Sequence, residues 1–135
     1  QDDTQVISLK KQYSLLEIKD YLLMQHISDK CAKFKPVYIL YFYSNKGDCA
    51  DCVKMGDVFT YLRQTYPGLR VYSFDYHLDL SALRTLIALR KINESKGLPA
   101  FVVNNRAPVY GFKTLQEMQK LIPELKTLAT STPVQ

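Results

Sequence analysis

Tryptophan is missing from these 135 residues, and no apolar run approaches the ~18 residues that a membrane-spanning helix requires. The longest such run, Val37 to Tyr43, has the length of a strand. Cysteine is scarce and odd in number, at three, which excludes a framework built only of disulfides. Histidine is scarcer still: His26 and His77 stand at no telling spacing from a cysteine or carboxylate. Internal repeats, low-complexity tracts and linker-like stretches are also missing, so a single domain accounts for the chain. Long runs of one charge are absent. The formal charge of +5 is spread along the sequence, densest at Lys10-Lys11, Lys33/Lys35 and Arg90-Lys91. None of these is interleaved with aromatics in the manner of a nucleic-acid platform, and a solvated surface is the expectation. An initiator methionine is lacking too. The expectation is that a signal peptide, an anchor or a tag preceded Gln1. An extracytoplasmic location, periplasmic or secreted, then follows, with membrane contact only through a removed anchor. A cytoplasmic redox protein is equally compatible with the cysteine motif described below.

What is present is the composition of a folded domain. Apolar residues make up 47% and charged residues 23%, which argues against disorder away from the ends. Ten tyrosines and six phenylalanines supply the aromatic bulk. The length is sufficient to bury a core without staples.

Residues 1–12 are polar and are expected to form a flexible lead-in. Ser14-Leu15-Leu16-Glu17 has the pattern of a capping box, opening an N-terminal helix within 13–35. Leu16, Leu23, Ile27, Cys31 and Phe34 recur behind it at helical spacing, which predicts one buried stripe ending at Pro36. Cys31 on that stripe is expected to be a buried, inert thiol. Val37–Tyr43 is apolar nearly throughout, as suits a central strand covered on both faces. Ser44 to Asp48 is a turn, and the helix after it ends at Pro67-Gly68. A second strand spans Leu69 to Tyr76. Asp79 or Ser81 opens a third helix with Leu83, Leu86, Ile87 and Ile92 on its apolar side and Gly97 past its end. Strands follow at Pro99–Val103 and Pro108–Phe112. Thr114-Leu115-Gln116-Glu117 is a second capping box, opening a helix that Pro123 should kink, and 130–135 reads as a frayed tail. Helices alternating with strands, then a hairpin, predict an α/β sandwich with a mixed sheet.

The chemistry centres on Cys49-Ala50-Asp51-Cys52, placed where a buried strand turns into a helix. A helix start offers unpaired N–H groups and partial positive charge, and both stabilise a thiolate. Cys49 is therefore the expected nucleophile, forming a mixed disulfide that Cys52 resolves by closing the ring. A C-x-x-C pair also serves zinc, which ordinarily takes four ligands, and only Cys31, His26 and His77 remain to complete a set. An inert structural bridge is the other alternative.

Leu98-Pro99-Ala100 opens the strand that follows the third helix. With strand, turn, C-x-x-C helix, proline-led strand, hairpin and last helix in this order, residues 37–128 resemble the thioredoxin superfamily. The resemblance implies a thioredoxin-like three-layer sandwich, with a central sheet of about four strands flanked by helices. It implies a cis bond before Pro99, beside the disulfide, and assigns Leu98 to pair its backbone with a substrate chain. A trans proline that merely starts a strand is the alternative reading of Pro99. It further implies thiol–disulfide exchange with cysteine-containing proteins, a separate redox partner to reset the pair, and no metal or organic cofactor. Three departures bear on activity. Asp48 stands where thioredoxins often carry tryptophan. The dipeptide Ala50-Asp51 is not the Gly-Pro, Gly-His or Pro-His of thioredoxin, protein disulfide isomerase or DsbA-type oxidants. Tyr41, or a neighbour, occupies the place of the family's buried strand carboxylate. Asp48 and Asp51, partly offset by Lys46 and Lys54, disfavour a thiolate and predict a reductant or mild exchanger rather than a strong oxidant; two side chains that point into water and do little are the alternative. The rival expectation is a non-catalytic interaction module braced by a structural Cys49–Cys52 bridge.

Overall fold

In the computed structural model, residues 3–31, 33 and 35–130 are described. Helix α1 spans Asp3–Lys30, strand β1 Val37–Tyr43, helix α2 Ala50–Thr65, strand β2 Leu69–Asp75 and helix α3 Ser81–Leu89. A 3-10 turn at Glu94–Lys96 leads to β3 (Ala100–Val103) and β4 (Val109–Tyr110), then to helix α4 (Leu115–Leu121) and a 3-10 segment, Pro123–Thr127. The sheet order is β2-β1-β3-β4. β2 runs parallel to β1, while β3 is antiparallel to β1 and β4 to β3. This is the mixed four-stranded α/β sandwich.

β1 is apolar throughout because both of its faces are covered. Tyr38, Leu40 and Phe42 point into the layer that holds residues of α1 and α3. Val37, Ile39 and Tyr41 point into the layer of α2 and α4. The alternation is the ordinary two-residue period of a strand. On the second side Phe59 of α2 packs between Tyr41 and Phe101, at centroid distances of 4.9 and 5.5 Å. On the first, Tyr21 of α1 meets Tyr38 and Tyr72 edge-on at 5.6 and 6.1 Å. Such aromatic contacts fill large volumes and fix the orientation of a helix on its sheet.

The N-terminal region differs from the expectation. Residues 3–12 are helical rather than a flexible lead-in, and Ser14 lies buried inside α1 rather than at its start. The Glu17 carboxylate accepts from the Ser73 backbone N–H at 3.0 Å instead of reaching back to residue 14. No glycine or proline occurs before Pro36, so nothing halts the helix at Ser14. The buried face is Ser14, Ile18, Tyr21 and Met24. Leu16 and Leu23 are instead 61% and 56% exposed, Ile27 is exposed, and Cys31 is an exposed free thiol past the helix end. Phe34 and residues 131–135 lie outside the described residues. α1 carries two apolar stripes, and spacing alone does not say which one meets the sheet.

Smaller differences have local causes. α3 ends at Leu89, well before Gly97, which closes the 3-10 turn with φ +96. Ile92 is buried, but beyond the helix. α4 stops at Leu121, and a 3-10 segment begins at Pro123. Proline disfavours helical geometry in the residue before it, and Ile122 sits at φ −124, ψ 75. The chain therefore breaks where a kink is expected.

Candidate active site

Two features place the cysteines. β1 delivers the chain to the end of the sheet, and the turn after it needs a residue at φ +80, a backbone conformation that Gly47 adopts without strain. Cys49 is then the N-cap of α2, in the position usually taken by serine or aspartate. Its sulfur accepts from the Cys52 backbone N–H at 3.1 Å, so one donor of the helix start is aimed at Cys49 Sγ. Cys49 and Cys52 are disulfide-bonded, with Cα atoms 5.3 Å apart. Their surroundings are unequal: Cys49 is half-buried, while Cys52, the first inward-facing residue of α2, is 5% exposed.

The proline-led strand reaches the same spot from the other side. The Leu98 carbonyl oxygen lies 3.4 Å from Cys49 Sγ, and the Leu98–Pro99 peptide bond is cis. Pro99 is buried, and its carbonyl accepts from the Gly111 N–H at 2.8 Å, holding the start of β3 against the end of β4. Cys49, Cys52, Leu98 and Pro99, distant in sequence, thus form one cluster.

Beneath α2, the Tyr41 hydroxyl donates to the Cys52 carbonyl at 2.5 Å. Burial pushes the Tyr41 hydroxyl well above the ordinary tyrosine range, so it stays protonated. A neutral donor occupies this place rather than a carboxylate. Asp48, exposed in front of Cys49, accepts from the Ser44 hydroxyl at 2.6 Å. That bond, aided by a backbone hydrogen bond and the Lys46 charge, holds the Asp48 carboxyl below its usual value and keeps it ionised. Asp51 has Lys54 at 3.9 Å, both side chains well exposed. Such a pair is worth little at the surface.

A cavity of about 360 Å³ opens against Cys52 and is lined by Tyr41, Tyr43, Ser44, Asp57 and Arg63 among others. Ser44 and Asp57 were not singled out in the sequence. Ser44 could have been found as a hydroxyl four residues before Asp48 in the same turn. Asp57, five residues after Cys52 on α2, has no spacing signal that leads to it. Cys31 does not join the pair; it follows α1 as a free thiol. Among the described residues, no three His, Cys, Asp or Glu side chains gather as a metal site would require.

The sheet order, the flanking helices and a disulfide-bonded C-x-x-C pair at the start of α2 define a thioredoxin-like domain. A solved structure of chloroplastic thioredoxin z, described as defining a novel type-specific target recognition, shares the fold. It matches with a TM-score of 0.52 and 15% identity, covering 76% of this chain and 87% of that one. No protein-family model and no curated protein sequence matches the chain.

Proposed function

We propose that the protein exchanges disulfides with cysteine-containing protein substrates, with Cys49 as nucleophile, Cys52 as resolver and Leu98-Pro99 as the docking edge. The observation that carries this is the inequality of the two sulfurs. Cys49 is the less buried of the two residues and its sulfur accepts from an N–H in the first turn of α2, whereas Cys52 is 5% exposed. A bridge that only braced the helix would have no need of this inequality.

In the reduced state, the Cys49 thiolate attacks one sulfur of a substrate disulfide. An S–S bond forms to Cys49, and the second substrate sulfur leaves as a thiolate. Cys52 then loses its proton and attacks Cys49 Sγ, expelling the first substrate sulfur. Two electrons pass to the substrate, and the chain is left with the disulfide described above. A redox partner must return those electrons. The Leu98 carbonyl, 3.4 Å from Cys49 Sγ, is the group that accepts a backbone N–H from an extended substrate segment in this reading, giving affinity with little sequence preference.

The ionised Asp48 sets the direction. A negative charge in front of Cys49 disfavours its thiolate and thereby favours the disulfide. The pair then acts as a reductant or mild exchanger. A second reading, an interaction module with a structural bridge, draws on Tyr41, which puts a neutral hydroxyl rather than a carboxylate on the strand beneath Cys52 and leaves Asp57 as the carboxylate in the adjoining cavity.

A glutathione redox titration read by thiol trapping decides between them, alongside Cys52→Ala screened for trapped mixed disulfides. The expected result is a reversible midpoint nearer about −270 mV than about −120 mV, with protein adducts on Cys49. A midpoint near −120 mV, the range of a strong oxidant, would overturn the direction. A pair resisting glutathione, below about −300 mV, and capturing nothing would establish the structural bridge instead.

A further inference from the structure

Among the described residues, nine of the thirteen exposed large apolar side chains lie on α1. Six of them, Val6, Leu9, Tyr13, Leu16, Leu23 and Ile27, follow alternating steps of three and four residues, broken once at Asp20. That spacing is the seam of a helix pair. The seam lies about a third of the way round α1 from the face that holds Ile18, Tyr21 and Met24, so the core does not use it. It runs for about 30 Å along the helix. Scattered apolar residues on a surface need no partner, whereas a row of six over this length marks an interaction surface.

We infer that the row is a self-association surface, on which α1 of a second copy of this chain packs antiparallel. The spacing is self-complementary, as a two-fold interface requires. α1 carries four acidic and four basic side chains, so two copies bring together helices without net charge. The same neutrality argues against a membrane surface, which selects helices with a Lys/Arg-rich polar face. The six side chains expose on the order of 500 Å² per copy, and a pair would remove on the order of 1,000 Å², the area at which specific interfaces begin.

Asp20 fixes the direction. Its carboxylate accepts from the Tyr72 hydroxyl at 2.6 Å and lies 3.7 Å from the Arg70 guanidinium. A parallel pair would set two copies of Asp20 against each other in the seam. An antiparallel pair centred near residue 18 sets Leu9 opposite Ile27, Tyr13 opposite Leu23, and Leu16 opposite Asp20. Each Asp20 then faces an apolar side chain near the middle of the seam, its carboxylate held by Tyr72 and Arg70 of its own sheet.

Sedimentation equilibrium of the whole chain from low to high micromolar concentration tests this surface, independently of any redox activity. The expected result is a reversible monomer–dimer equilibrium for the wild type and a monomer for Leu16→Glu/Leu23→Glu. Both positions are exposed, so circular dichroism should show the variant still folded. Leu89→Glu, exposed on α3, should dimerise like the wild type. A wild type that stays monomeric throughout would overturn the inference. So would a dimer that survives the double substitution, a dimer lost on Leu89→Glu, or a monomer that co-sediments with phosphatidylcholine/phosphatidylserine vesicles.

Discussion

Ser14-Leu15-Leu16-Glu17 and Thr114-Leu115-Gln116-Glu117 are nearly the same motif, and the molecule uses them in opposite ways. Thr114 caps α4: its hydroxyl accepts from the Glu117 N–H at 3.2 Å, and the Glu117 carboxylate accepts from the Thr114 N–H at 2.8 Å. Ser14 and Glu17 sit inside an unbroken helix, with Glu17 turned toward the N–H of Ser73 across the sheet edge. What separates them is the chain before the motif. Gly111, at φ +90, ends the β3–β4 hairpin just ahead of Thr114, so the backbone there has a free end to cap. Ahead of Ser14 stand only helix-tolerant residues, and the N–H groups that a cap would serve are already inside the helix. A capping motif satisfies helix ends; it does not create them.

The largest effect that sharpens this contrast concerns which face of α1 is buried. Tyr21→Ala should cost about 3–5 kcal/mol in urea unfolding, the range for a large aromatic removed from a core. Leu16→Ala, in dilute solution, should change stability by less than about 0.5 kcal/mol, as for an open surface site. The reverse ranking would restore the stripe through Leu16 that the spacing suggests.

Next comes the caps themselves. Thr114→Ala should cost about 1 kcal/mol, the usual worth of an N-cap hydroxyl, and Thr114→Ser should recover most of it. Ser14→Ala should show no such loss and no rescue pattern, since alanine suits a helix interior. Equal losses at the two sites would mean that α1 has a real boundary at Ser14.

The smallest effect is the sign of the pH dependence at the two glutamates. Burial is the main cause that raises the Glu17 carboxyl above its ordinary value, despite the Ser73 N–H. Its protonated form is therefore favoured on folding, and its contribution is present at low pH and lost as pH rises through the raised value. The Glu117 carboxyl is lowered, chiefly by the Thr114 N–H. Its contribution is present at neutral pH and lost as pH falls through the lowered value. Glu17→Gln and Glu117→Gln should thus change the slope of stability against pH in opposite directions, in chemical unfolding followed across the acid range. Slopes that move the same way would contradict the geometry at one of the two sites.

The core of the fold was legible where residues carry their own punctuation. Val37–Tyr43 announces a doubly covered strand, Pro67-Gly68 ends α2, and Cys49 to Cys52 mark its start. The four site residues proposed from the sequence are also neighbours in space. α1 was misplaced because it has two apolar stripes and no internal breaker, so periodicity alone assigned the wrong one, and Cys31 with it, to the core. Asp57 carries no signal in the sequence because only the cavity beside Cys52 connects the two.

The tie between Tyr41 and the Cys52 carbonyl gives the redox pair a foundation that acid and base do not move. A carboxylate in that place would gain or lose charge as it exchanged protons, and the start of α2 would feel each change. Tyr41, pushed by burial beyond the ordinary tyrosine range, keeps its proton while free thiols titrate. The seat of α2 on the sheet is electrically silent there, and the pH profile of exchange should report the two sulfurs and their neighbours in the turn rather than the strand beneath them.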